Sequence, residues 1–148
     1  MDELRAVAVA VALERVALDN PWADHVWRLR TVGPAGTMDA GATLCLDDLE
    51  LRLHPDEAEN YLINLATPVP RLFAVWRLED DMPAVVMVTA SYGEAARMLD
   101  AGLNVEGVPL PDDLRGWVED FARHHYQPPE KQPRRGRPAA AGYGARTS

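Results

Sequence analysis

A chain of 148 residues with 47% hydrophobic content fits one domain with an ordinary core. Its charge is divided: Lys131, Arg134, Arg135, Arg137 and Arg146 oppose only Glu130 beyond residue 126, so the tail carries +4 and residues 1–126 carry −12 of the net −8. Such a body repels nucleic acid and anionic membrane, and the lone Cys45 excludes an intrachain disulfide or a multi-cysteine metal cluster and makes a reducing compartment the default.

In chain order, residues 6–14 place Val7, Val9, Val11 and Leu13 on one face at period two. This predicts a strand, with helix as the alanine-driven rival. The stretch lacks a basic leader and is too short to span a bilayer, so a cytoplasmic protein is expected. Asp19-Asn20-Pro21 supplies a turn whose side chains bond their own backbone, and Val26–Val32 returns as a second strand. Gly33 to Gly41 reads as a loop. Leu44–Leu46 is short and apolar, and Leu49, Leu51 and Leu53 alternate with Glu50, Arg52 and His54, the pattern of a strand with one wet face.

After a turn at His54-Pro55-Asp56-Glu57, residues 59–65 read as a returning strand with Tyr61, Ile63 and Leu65 on a common face. Leu72–Leu78 and Ala84–Ala90 follow, separated by an acidic turn, and the apolar run of the second suggests burial on both faces. At Ser91 the period changes: Ser91 and Glu94 fit a capping box, and a helix is predicted over 92–101, ended by Gly102. A last helix follows Pro111, with Leu114, Trp117, Val118 and Phe121 as its apolar stripe. The expected fold class is α+β: about six mostly antiparallel strands in a sheet or partly closed barrel, followed by two C-terminal helices. Residues 1–126 form the domain, and residues 127–148, rich in Pro, Arg, Gly and Ala, are expected to be a disordered basic tail.

Candidate chemistry is sparse. Residues 1–126 contain no lysine, hence no Gly-Lys-Thr/Ser phosphate loop and no Schiff-base lysine, and there is no dinucleotide glycine fingerprint. Ser91 is placed to cap a helix, and Cys45, between Leu44 and Leu46, reads as a buried structural thiol. His25, His54, His124 and His125 do not fall in a two-histidine metal spacing, and Asp120 with His124 supplies at most an i, i+4 pair. No catalytic residue, cofactor or metal ligand is assigned.

The densest segment is Asp19-Asn20-Pro21-Trp22-Ala23-Asp24-His25-Val26-Trp27-Arg28, with two of the four tryptophans. Trp22 and Trp27 are either core cover or an interface anchor, and Asp24 with Arg28 forms a candidate pair that orients them. In the tail, Arg135-Gly136-Arg137-Pro138 resembles the core of an AT-hook, whose arginines follow the narrow minor groove.

The Asn-Pro-Trp segment through Trp27-Arg28, the Leu51-x-Leu53-His54 to Tyr61-x-Ile63-Asn64-Leu65 stretch, Val88-Thr89-Ala90-Ser91 and the Trp117-Val118 to His124-His125 helix together resemble the bacterial domain-of-unknown-function family 3305. The resemblance spans about residues 5–126. It carries no catalytic residues. Because genes of the family often lie beside those for formate dehydrogenase and molybdoenzyme accessory proteins, it implies an accessory factor whose partner is a formate dehydrogenase subunit or maturation factor. The alternatives are a DNA-associated regulator using the tail and an enzyme acting on a molybdenum-cofactor or nucleotide precursor.

Overall fold

The computed structural model describes residues 5–128. Strands β1 (Ala6–Ala17), β2 (His25–Pro34) and β3 (Leu44–Arg52) come first, followed by a 3-10 turn (Pro55–Glu57) and helix α1 (Ala58–Leu65). Strands β4 (Arg71–Glu79) and β5 (Met82–Thr89), helix α2 (Tyr92–Asp100), strand β6 (Asn104–Pro109) and helix α3 (Asp112–His125) complete the order. The α+β class holds, with all six strands in one sheet ordered β2-β1-β3-β5-β4-β6.

Two antiparallel three-stranded units make up that sheet. In the first, β1 lies between β2 and β3; in the second, β4 lies between β5 and β6. They join through β3 and β5, which run parallel and meet in register only at Leu51 and Val88. The other join, between the edge strands β2 and β6, is made by a side chain. Leu29 N donates to Glu106 Oε1 (2.9 Å), and Arg28 Nε meets Glu106 Oε2 at 2.7 Å. A carboxylate thereby satisfies an edge N–H that has no strand partner, and the sheet becomes a nearly closed barrel.

The period-two reading of β1 holds: Val9, Val11 and Leu13 are each at most 1% exposed and join Trp27, Leu51, Trp76 and Phe121 in one core. Residues 59–65, expected to be a strand, are instead helical. The buried residues of α1 are Ala58, Tyr61 and Asn64, a three-residue spacing, while Ile63 is half exposed. The sixth strand is β6, which sequence pattern did not indicate because Gly107 interrupts it. A Cβ at Gly107 would stand 2.9 Å from the Phe73 ring, so close strand-to-ring packing requires glycine there. Burial on both faces belongs to β4, whose residues 72–76 are all buried, whereas Val86 of β5 is exposed.

Register defines two ends of the barrel. Ala17 opposite His25, Leu13 opposite Leu44 and Glu79 opposite Met82 lie at one end, which we call the open end. Ala6 opposite Arg52, Phe73 opposite Thr89 and Arg71 opposite Pro109 lie at the other. Helix α1 connects β3 to β4 at that second end, and α3 follows β6 onto it, packing Phe121 edge-on against Tyr61 (6.2 Å between centroids). The expected stripe of α3 is buried at Leu114, Val118 and Phe121. No helix among the described residues is long and apolar enough to cross a membrane.

Candidate functional site

The open end is built from the two short connections where sequence places turn residues. Between β1 and β2, Asn20 Oδ1 accepts from Trp22 N (2.7 Å) and Ala23 N (3.3 Å), the side-chain-to-backbone turn expected of Asp19-Asn20-Pro21. Leu18 N donates to Asp24 O at 2.9 Å and closes the loop. Between β4 and β5, Asp80 and Asp81 both take positive φ (52° and 67°), the two-residue hairpin geometry that aspartate tolerates.

These connections meet at His25. Its Nδ1 lies 3.0 Å from Asp24 Oδ1 and its Nε2 lies 2.9 Å from Asp81 Oδ2. Carboxylates only accept, so both contacts are hydrogen bonds when the ring carries both protons. Trp27 packs edge-on to His25 and donates Nε1 to Asp81 O at 3.1 Å, tying residues 54 apart in sequence. Arg15 and Ala17 complete a shallow cleft with Asp24, His25 and Asp81.

The two tryptophans therefore divide their roles. Trp27 is 4% exposed and belongs to the core; Trp22 is 88% exposed and stands on the bonded turn. The expected Asp24–Arg28 pair does not form, because four residues of extended chain separate the two positions by about 13 Å. Arg28 reaches the β2–β6 join at Glu106, and Asp24 bonds its neighbour His25. Asp81 and Glu106 went unrecognised in the sequence: each acts on a residue far away in the chain, and no local spacing marks either.

The remaining candidates lie elsewhere. Ser91 is fully buried at the helical end and its Oγ accepts from Glu94 N (3.0 Å), as expected of a cap. The capping box is completed indirectly: Ser91 N donates to Thr89 Oγ1, and the Thr89 hydroxyl donates to Glu94 Oε1. Ser91 Oγ also donates to Glu57 Oε1 (2.6 Å). Burial pushes the Glu57 carboxyl up, but the bonds from Ser91, Asn60 and Arg97 together hold it below its ordinary value. Burial likewise pushes the Tyr61 phenol upward while its oxygen accepts from His54 N. On the surface, the hydrogen bond from Arg30 holds Asp39 low against desolvation, with help from Gly41 N and Thr31.

Cys45 is exposed rather than buried, because Leu44 and Leu46 take the half-buried face of β3 and leave the alternate position wet. His124 packs edge-on against His125. Among the described residues, no three His, Cys, Asp or Glu side chains are placed to share a metal ion. Arg135, Gly136, Arg137 and Pro138, and nearly all of the expected disordered tail, lie outside the described residues.

The model of a family described as protein of unknown function (DUF3305) matches residues 8–135, and the chain belongs to that family. The match runs nine residues past the expected domain end at 126, through Arg134 and Arg135. No curated protein and no solved structure matches the chain.

Proposed function

We propose that this member of the family is a non-catalytic accessory protein that binds a formate dehydrogenase subunit or a factor of its maturation through the Trp22 turn. The carrying observation is that Trp22 is 88% exposed on a turn fixed at several points by hydrogen bonds. A large exposed aromatic on a preorganised turn loses little freedom on binding and makes an efficient anchor. Asp24, His25, Asp81 and Arg15 beside it supply a polar rim. The partner class comes from the gene neighbourhood that the family resemblance implies.

The test is binding of the full chain to purified formate dehydrogenase subunits, with Trp22→Ala as the variant. An anchor at the centre of an interface contributes about 2–4 kcal/mol, so affinity falls by about 30-fold or more while the fold is retained. Unchanged affinity of a folded Trp22→Ala protein removes this surface from the proposal.

A further inference from the structure

The open end gathers apolar side chains as well as acid. Of the ten large hydrophobic side chains exposed among the described residues, five stand there: Leu18, Trp22 and Val26 in or beside the β1–β2 turn, and Leu78 and Met82 beside the β4–β5 turn. The two turns are tied to each other by His25 Nε2 to Asp81 Oδ2 (2.9 Å) and by Trp27 Nε1 to Asp81 O (3.1 Å), so the five belong to one end of the molecule. Single exposed hydrophobics are ordinary on a protein surface, but half of them gathered at one end mark a docking surface.

Charge selects what docks there. Asp19 and Asp24 lie in the first turn, Asp80 and Asp81 form the second, and neither turn contains lysine or arginine. The side chains of Asp24 and Asp81 are 95% and 63% exposed. Arg77 and Glu79 beside the second turn pair at 2.8 Å and cancel. Arg15 in the cleft, with His25 when its ring carries both protons, offsets at most two of the four aspartates. A second copy of the chain presented through the same end sets aspartate against aspartate, and anionic lipid meets the same repulsion.

Building on the proposed binding role of the Trp22 turn, we infer that the partner segment bound at the open end is amphipathic and basic. Its apolar side chains lie against Trp22 and the apolar residues of the two turns, and its arginine or lysine side chains lie against Asp24 and Asp81. The apolar contacts exclude water at the centre, while the charge pairs at the rim set orientation and the speed of encounter. The long-range field of the −12 body draws in the same kind of segment.

The test titrates the full isotope-labelled chain with three synthetic peptides of equal length, built from leucine and arginine, from leucine and glutamate, or from serine and arginine. The leucine–arginine peptide is expected to shift backbone amides of residues 18–26 and 78–82 and to bind at least about tenfold more tightly than either of the others. Asp24→Asn with Asp81→Asn should weaken that binding about three- to tenfold, the range for two exposed pairs. Asparagine tolerates positive φ and keeps an oxygen for His25, so the fold is retained. Equal binding of the leucine–glutamate or the serine–arginine peptide, or shifts confined to other parts of the barrel, would overturn the inference. The Trp22 reading fails separately, when a formate dehydrogenase subunit binds Trp22→Ala as tightly as the parent. A subunit whose binding is lost in Trp22→Ala, beside peptides that show no preference for arginine, removes only the basic chemistry.

Discussion

At the helical end of the barrel Asn64, Thr89 and Ser91 are each at most 1% exposed and every one is hydrogen-bonded, whereas at the open end Trp22 is 88% exposed. Both ends are rich in polar residues, yet they use them differently. Buried polar groups at the helical end lock α1, α2, β4 and β5 together and have no freedom left for a partner. Polar groups at the open end fix only the backbone of two turns and leave an aromatic face outward. Under the proposed function, stability belongs to one end and recognition to the other, and substitutions at the two ends should separate accordingly.

The largest loss of stability is expected at Asn64. Its Nδ2 donates to Arg71 O (2.7 Å) and Ala90 O (2.9 Å), and its Oδ1 accepts from Arg71 N (2.9 Å), so one side chain holds α1 to the start of β4 and the end of β5. Asn64→Leu leaves these backbone groups buried without partners and should cost about 2–4 kcal/mol in urea unfolding. A loss below about 0.5 kcal/mol would contradict the role given to the helical end.

Glu57 comes next. Its side chain is 14% exposed and it accepts from Ser91, Asn60 and Arg97. Its pKa is lowered on folding, so its contribution is present above the ordinary carboxylate range and is lost as pH falls through the folded value. Glu57→Gln should cost about 1–2 kcal/mol near neutral pH, and the stability curves of variant and parent should converge in acid. Parallel curves down to strongly acidic pH would show that Glu57 gains nothing from ionisation in the fold.

The β2–β6 join gives a smaller effect. Glu106→Ala removes both the acceptor for Leu29 N and the partner of Arg28, with an expected cost of about 1 kcal/mol and faster hydrogen exchange at Leu29. Glu106→Gln keeps one acceptor oxygen and should protect Leu29 better than alanine does. His25→Ala should change global stability by less than about 1 kcal/mol, because its carboxylate partners are exposed. It should still weaken partner binding by untying the two turns, though less than Trp22→Ala.

Legibility in the sequence followed the range of the interactions. Strands β1 and β4, the cap at Ser91 and the turn at Asn20 were readable because period, cap and turn chemistry are local. Residues 58–65 were not. In eight residues, Tyr61, Ile63 and Leu65 satisfy period two by chance, while the decisive feature is Asn64, whose partners lie on other elements. Strand β6 was hidden by Gly107, whose absent side chain is explained only by the Phe73 ring above it. At the site, the Trp22 segment stood out, but the division between Trp27 inside and Trp22 outside depends on Asp81, across the barrel end.

The most direct test of this division is a paired measurement on Trp22→Ala: urea unfolding, and affinity of the full chain for a formate dehydrogenase subunit. The division predicts stability within about 0.5 kcal/mol of the parent and a loss of affinity of about 30-fold or more. A destabilised protein, or a stable one that binds as the parent does, would contradict it.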